Sequence, residues 1–165
     1  MTREERITRL KELDLQISEL QKEKEKLNPF ANLRSMANKA FGEWSEDYII
    51  ENTKNIRKEN DMGRDLVSDN LGKIEVKSTR NTTKITFNQI KPEYSDYHIF
   101  IIYDIDNIDT SIYLVPNHLF GTELTISKQH NYSGEGNCYT MSSSKKNMVV
   151  LEKYKVTWEE LDGKA

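Results

Sequence analysis

Residues 65–77 read DLVSDNLGKIEVK, and this pattern predicts two short strands joined by a turn. The strands are expected at 64–68 and 73–78, where apolar and polar residues alternate. Their connection, Asp69-Asn70-Leu71-Gly72, consists largely of residues that favour turns. We therefore expect a β-hairpin in the middle of the chain.

The register of this hairpin follows from its hydrophobic pattern. A connection with an odd number of residues places Leu66 across from Ile74 and Asp65 across from Glu75, whereas an even number would set Leu66 against Glu75. Because a slip of one residue sends every side chain to the wrong face, the pattern favours the odd register. That register brings the two acids together.

Acidic and basic side chains share one face of the second strand. Residues i and i+2 of a strand point to the same side, so Glu75 and Lys77 project together, while Ile74 and Val76 face the opposite side. Placing a carboxylate and an ammonium together at a sheet surface is costly unless they pair or bind something. The arrangement therefore indicates a functional site, with an ordinary same-face ion pair as the alternative.

The residue types fit metal-dependent hydrolysis of a phosphodiester. Mg²⁺ prefers hard oxygen ligands, and Asp65, Glu75 and the carbonyl of Val76 could supply them. The ammonium of Lys77 would lie beside the attacking water, where it can orient that water and stabilise developing negative charge. The sequence thus predicts a magnesium site with a neighbouring lysine.

These residues resemble the motif of the PD-(D/E)XK nuclease superfamily. Asp65 is followed after nine residues by Glu75-Val76-Lys77, and an acid-bearing helix is expected before it. Within the superfamily, residues 63–78 are most similar to small type II restriction endonucleases of the PvuII kind in acid spacing, turn and Lys-Ser ending. The resemblance covers about residues 42–120 and implies an α/β fold with a central mixed sheet flanked by helices, Mg²⁺ as cofactor and double-stranded DNA as substrate.

The chain departs from the superfamily pattern at two positions: Arg64 stands where the name-giving proline would be, and the acid that some relatives carry before the aspartate would fall near Met62. A further carboxylate must come from outside the motif. The resemblance implies Glu46 for this role, because members often carry a glutamate on the helix before the first motif strand, and Glu43 is the reserve. The expected catalytic set is therefore Asp65, Glu75, Lys77 and Glu46.

The first 28 residues predict a separate amphipathic helix, and residues 29–165 the nuclease domain. Thr2 and Glu5 form a capping-box pattern, and Asn28-Pro29 ends the helix. Lys24 occupies one a position of a heptad pattern in this helix. The other a and d positions hold five apolar residues: Leu10, Leu13, Ile17, Leu20 and Leu27. The stripe is short, so the helix either pairs with a second copy as a coiled coil or packs on its own domain.

Other elements follow from periodicity and caps. Residues 35–53 predict a second helix, 97–105 a strand covered on both faces, and 111–115 its hairpin partner. A strand is expected at 148–156, followed by a helix capped by Thr157 and Glu160. His98, inside the apolar strand, is expected to be a buried histidine with its hydrogen bonds satisfied.

Composition limits the setting of the protein. No apolar run is long enough to span a membrane, the N-terminus is charged, and the lone Cys138 leaves no internal disulfide, so we expect a cytoplasmic protein with no membrane partner. The net charge of −3 is segregated along the chain. Residues 71–91 carry five basic side chains against one acid, whereas 92–124 carry six acids and no lysine or arginine. Such segregation suits phosphate binding on one face, with solvated surface charge as the alternative.

Two polar segments are candidates for contacts with DNA bases and phosphates. The alternative for both is a polar loop. The first follows the motif strand, where the resembled enzymes place groove-facing residues: Arg80, Asn81, Thr82, Thr83, Lys84, Asn88 and Gln89. The second lies further along the chain: Lys128, Gln129, His130, Asn131, Lys145, Lys146 and Asn147.

The sequence as a whole predicts a Mg²⁺-dependent type II restriction endonuclease that cleaves double-stranded DNA as a homodimer. Twofold symmetry would let one active site cut each strand of a palindromic target. A DNA repair or junction-resolving nuclease would share the same core. A non-catalytic coiled-coil DNA-binding protein with a vestigial nuclease core is the alternative from another class.

Overall fold

The computed structural model describes residues 1–59, 66–130, 133–134 and 136–165, which form an α/β structure. Four α-helices are present in this part of the chain: α1 (Arg3–Leu27), α2 (Asn38–Asn52), α3 (Lys145–Glu152) and α4 (Trp158–Lys164). The strands in the same residues are β1 (Arg57–Lys58), β2 (Leu66–Ser68), β3 (Gly72–Thr79), β4 (Thr86–Ile90), β5 (Tyr97–Asp104), β6 (Asp109–Pro116), β7 (Ser127–Lys128), β8 (Tyr139–Ser142) and β9 (Lys155–Val156). Single 3₁₀ turns follow β4 and β6 at Pro92–Tyr94 and Asn117–Leu119.

The main sheet has six strands in the order β1-β2-β3-β5-β6-β9. Strand β3 runs parallel to β5, and the other neighbouring pairs are antiparallel, so the predicted mixed sheet is confirmed. A second sheet has the order β4-β8-β7. Among the described residues, no helix combines the length and apolar character that crossing a bilayer requires.

The hairpin of β2 and β3 has the predicted odd register. Leu66 pairs with Ile74 and Ser68 pairs with Gly72. Gly72 has φ +74°, and a Cβ there would collide with the carboxylate of Asp96, so the turn requires glycine. Asp65, predicted to lie across from Glu75, falls outside the described residues.

The β5–β6 hairpin passes through the centre of the molecule. Both strands were predicted, and β5 is buried from His98 to Tyr103 because it is covered on both faces. One face contributes Ile99, Ile101 and Tyr103 to a core completed by α2, α4 and the segment around Phe30.

The other face of the sheet packs on a different layer. Phe100, Ile102 and Val115 lie in a second core with Phe87 of β4, Met141 of β8 and residues of α3. Helices therefore lie on both faces of the main sheet, as expected, but on this face a helix shares the layer with a second sheet. The three-stranded sheet, together with α3, covers this face.

Helix α1 begins at the predicted capping box. The Glu5 N–H donates to Thr2 Oγ1 at 3.2 Å, and the Thr2 N–H donates to Glu5 Oε2 at 2.6 Å. No residue of α1 is buried, and Leu20 of the heptad stripe is 64 % exposed. The alternative in which this stripe packs on its own domain is therefore wrong for the chain as described.

Two other predictions need correction. Residues 148–156 do not form a strand, because α3 occupies Lys145–Glu152 and only Lys155–Val156 pair, with β6. The side chain of Ser144 accepts from the Asn147 N–H and caps this helix, whose Val150 and Leu151 are buried. Helix α2 begins at Asn38 rather than at residue 35, and its predicted C-terminal end is correct within one residue.

Candidate active site

A cleft of about 420 Å³ opens beside β3 beyond Ile74, which pairs with Leu66 at the start of the described part of β2. Helix α2 forms one wall, and the last five residues of β3 form the other. The lining residues are Asn38, Lys39, Phe41, Gly42, Glu43, Glu46, Glu75, Val76, Lys77, Ser78, Thr79, Arg80, Asn81 and Gln89. Three of the four predicted catalytic residues, Glu46, Glu75 and Lys77, thus line one cleft.

Glu75 and Lys77 form an ion pair on the face of β3 predicted from the strand period. Lys77 Nζ lies 2.7 Å from Glu75 Oε1, and the two side chains are 17 % and 29 % exposed, respectively. Both charges are thus partly shielded from water but still reach the cleft. The two opposite charges compensate each other, so a ligand that binds the Glu75 carboxylate also changes the electrostatic environment of the Lys77 ammonium.

The carbonyl of Val76 points to the side of β3 that faces away from β5. Peptide groups along a strand point alternately to its two neighbours. Lys73 directs its carbonyl towards β5, since it accepts from the Asp96 N–H at 2.8 Å. The carbonyl of Val76, three residues on, therefore points to the other side, past Leu66, where the described part of β2 begins. It is placed to act as an oxygen ligand.

Helix α2 brings two acids to the same cleft. Phe41, Ser45 and Ile49, four residues apart, form the buried stripe that packs the helix on the core. Ser45 Oγ lies 2.6 Å from the hydroxyl of Tyr103, which fixes the helix against β5. Glu43 and Glu46 lie beside that stripe and line the cleft opposite β3.

The donor set in the cleft suits a hard divalent cation. Glu75, Glu46 and the Val76 carbonyl offer only oxygen atoms, which Mg²⁺ prefers. The described residues contain no group of three or more His, Cys, Asp or Glu side chains arranged to hold a metal. Asp65, the remaining predicted ligand, lies outside the part of the chain that the structure describes.

His98 is fully buried on β5, beside Glu75 in the parallel register. Its Nδ1 lies 2.7 Å from Asn117 Oδ1, so Nδ1–H is the donor and Nε2 carries the lone pair. Nε2 has no hydrogen-bond partner among the described residues, so the expectation of a fully satisfied histidine is wrong for this nitrogen. Burial lowers the pKa of His98 to about 4, against smaller opposing effects of Asn117 and Glu75.

Arg80 lines the cleft but is half-buried, and its guanidinium is bound by other groups of the protein. Its Nη1 donates to the carbonyl oxygens of Leu33 and Met36, the latter at 2.6 Å, and Nη2 donates to Asn38 Oδ1 at 3.1 Å. The guanidinium also lies 5.0 Å from the ring centre of Phe41. These contacts use three of the five N–H donors of the guanidinium, and the prediction that Arg80 contacts DNA stays a prediction. Arg80 ties the end of β3 to the start of α2.

Asn147 also has a structural role. It is 1 % exposed, its Oδ1 accepts from the Thr125 N–H at 2.8 Å, and its Nδ2 donates to the carbonyls of Thr125 and Ser142, each at 2.9 Å. Its assignment to a DNA-facing surface is therefore wrong.

The other polar candidates lie on the surface, and two of them, Asn81 and Gln89, line the cleft. The Gln89 N–H donates to Gln129 Oε1 at 3.0 Å, which joins the two predicted polar segments. Asn131 lies outside the described residues. The exposed remainder comprises Thr82, Thr83, Lys84, Asn88, Lys128, His130, Lys145 and Lys146.

Sequence reasoning missed Asn38 and Lys39, which line the cleft at the start of α2. Ala37 precedes them as an N-cap without a side-chain hydrogen bond, so the sequence holds no capping signal for this helix start. Only the spacing of Lys39 from the acids of α2 could have indicated that its basic side chain lies at the cleft.

Comparisons of the chain with family models, with curated proteins and with solved structures give no match.

Proposed function

We propose that this protein is a Mg²⁺-dependent endonuclease of the PD-(D/E)XK type that cleaves double-stranded DNA. One observation carries the proposal: the Glu75–Lys77 pair and Glu46 line a single cleft beside β3, and the Val76 carbonyl points to the side of β3 away from β5. Two acids, a peptide oxygen and a lysine at one strand edge make up most of the machinery that the superfamily motif implies.

Each side chain has a distinct task in the proposed reaction. Glu75, Asp65 and the Val76 carbonyl would hold the cation, and Glu46 would bind it directly or through water from the opposite wall. Bound Mg²⁺ would supply neutralisation of the phosphate charge and a lowered pKa for the attacking water. Lys77 would orient that water with its ammonium and stabilise charge that develops on the phosphate oxygens.

The ion pair supports this division of labour. Glu75 compensates the charge of Lys77 before substrate arrives and holds the lysine side chain in place in a partly shielded cleft. With a cation bound to Glu75, the Lys77 ammonium would be available to contact water and phosphate. Binding of a cation would thus give Glu75 its role as a ligand and Lys77 its role beside the water at the same time.

The fully exposed stripe of α1 supports a homodimer. Leu13, Ile17 and Leu20 lie on one side of a helix that has no buried residue. A second copy of the same helix would cover this stripe, and its twofold axis would relate two active sites on opposite strands of a palindromic site. A type II restriction endonuclease acting in the cytoplasm is the member class that this assembly fits best.

The test is cleavage of plasmid and phage DNA by the purified full-length chain with Mg²⁺ and with EDTA. We expect discrete fragments with Mg²⁺ only, and a loss of rate of at least about 100-fold in Lys77→Ala and Glu75→Ala. Lys73→Ala is the matched control, since Lys73 lies on the same strand but pairs with Glu59 at 3.3 Å outside the cleft.

Other outcomes would select the alternatives. Cleavage restricted to branched or damaged duplexes would indicate a junction-resolving or repair nuclease with the same site. Folded wild-type protein that binds DNA but cuts nothing with Mg²⁺ or Mn²⁺ would indicate a non-catalytic binding protein. In that case the Glu75–Lys77 pair would be structural.

A further inference from the structure

Strand β4 contains a β-bulge at the mouth of the cleft. Phe87 pairs with Met141 and Ile90 with Tyr139, so β4 has one residue more than its partner β8 in this interval. Gln89 lies in the bulge with φ +56°, a left-handed conformation that residues other than glycine seldom adopt. Glycine would take this conformation without strain.

The unusual backbone is held by Gln129, which directly follows β7. The Gln89 N–H, which the bulge removes from the ladder, donates to Gln129 Oε1 at 3.0 Å. Gln129 is itself fixed, because its own N–H donates to the Cys138 carbonyl at 2.8 Å. The side-chain amide of Gln129 thus replaces the missing strand partner and holds the backbone of Gln89 in this conformation.

The bulge separates a buried face from an exposed side chain. Phe87 and Ile90 on either side are buried in the core, whereas Gln89 is exposed and lines the cleft with Glu75 and Lys77. Its amide therefore lies at the site where the proposed function puts DNA. Lys84 and Ile108 also have positive φ, but of these three residues only Gln89 lines the cleft, so its position and its backbone conformation together single it out.

We propose that Gln89 is a specificity-determining residue that reads the edge of an adenine next to the scissile phosphate. The inference rests on the proposed function for the position of the duplex. A glutamine amide matches adenine in the major groove, since its oxygen accepts from N6–H and its nitrogen donates to N7. The bulge fixes the backbone position from which the Gln89 side chain extends at the cleft.

Three variants test the assignment. Gln89→Glu keeps the shape but replaces the donating amide by a carboxylate, which N7 of adenine repels. Gln89→Gly removes the side chain and relieves the backbone, so its Tm should equal or exceed that of the wild type. Thr86→Ala is the matched control, because Thr86 is exposed on the same strand but does not line the cleft.

The readouts are cleavage of a randomised duplex library with Mg²⁺ and, separately, enrichment of bound duplexes from that library with Ca²⁺ in place of Mg²⁺. We expect the wild type and Thr86→Ala to select an A·T pair at one position by both readouts. Gln89→Glu and Gln89→Gly should lose about 5- to 150-fold of that preference at this position alone, the value of one bidentate contact. Preferences elsewhere in the site should be unchanged.

The two proposals fail differently. A wild-type protein that enriches a sequence but cuts nothing would end the nuclease proposal, and the variants would still judge Gln89 by binding. Variants that keep the wild-type preference at every position would overturn the role of Gln89. A uniform loss of affinity for all sequences would also overturn it, since that result identifies a backbone contact.

Discussion

Lys77 Nζ lies 2.7 Å from Glu75 Oε1, on the same face of β3 and beside the buried His98. Both charged groups are largely shielded from solvent, so the pair differs from the exposed ion pairs elsewhere on the surface. Its attraction is less screened by water, and each charge would lack compensation if the other were removed.

The pair should therefore show measurable coupling. In a double-mutant cycle of Glu75→Gln and Lys77→Met, we expect an interaction free energy of about 1 kcal/mol in urea unfolding. The Lys73–Glu59 pair on the same strand is the control cycle, with side chains 51 % and 34 % exposed, and it should give less than about 0.5 kcal/mol. Equal coupling in the two cycles would contradict the importance of shielding.

His98 should make stability depend on pH in the acidic range. Burial lowers the pKa of His98 from 6.5 to about 4, so between these values the unfolded chain binds a proton that the native state does not. Stability contributed by the neutral imidazole is thus present above pH 6.5 and is lost as the pH falls towards 4, by about 3 kcal/mol. We expect His98→Asn to flatten this part of the profile of unfolding free energy against pH.

The surface control for this measurement is His118→Asn, since His118 is exposed. Glu75 and Lys77 also act electrostatically on His98, and DNA or a divalent cation would add charge beside them, so the profile is measured without either. An unchanged slope in His98→Asn would show that the acid sensitivity arises from other groups.

Arg80 should matter more for folding than an exposed arginine does. Arg80→Ala removes donors to the carbonyls of Leu33 and Met36 and the contact with Phe41, so we expect a loss of about 2–3 kcal/mol in unfolding free energy. Arg80→Lys keeps the charge but not the planar fork and should recover less than half of this loss.

The matched control is Arg34→Ala. Arg34 pairs with Asp106 at 2.7 Å, but the side chains are 62 % and 75 % exposed, so the change should stay within about 0.5 kcal/mol. Similar effects of the two alanine variants would refute the internal role of Arg80.

Leu66 and Arg80 show which contacts can be predicted from the sequence and which cannot. The pairing of Leu66 with Ile74 was predictable because a period of two leaves one register that buries both side chains. The partners of Arg80 are carbonyls of an irregular segment, and no residue pattern encodes such contacts. The same reasoning placed Glu75 and Lys77 together, whereas the position of Glu46 was expected from family resemblance alone.

Helix α3 and the small sheet illustrate a second reason. Met148-Val149-Val150-Leu151 is apolar and β-branched, so it reads as a strand, yet the Ser144 cap and the buried Asn147 select a helix. Strands β7 and β8 have two and four residues, too short to give a periodic signal. Their position depends on contacts with β4 that only the fold brings about.

The exposed stripe of α1 should hold two copies of the chain together. Leu13 and Leu20 occupy heptad d positions, and Leu13→Lys with Leu20→Lys should convert a dimer into a monomer in sedimentation velocity at micromolar concentration. An isolated helix of this length is marginal in water, so the far-ultraviolet helical signal should also fall.

Leu15→Lys is the control, because Leu15 is 67 % exposed but lies off the stripe, and this variant should stay dimeric. If the wild type cleaves both strands of plasmid DNA, the monomeric variant should only nick them, since one site cuts one strand. A wild-type monomer, or a stripe variant that remains dimeric, would remove α1 as the dimer element.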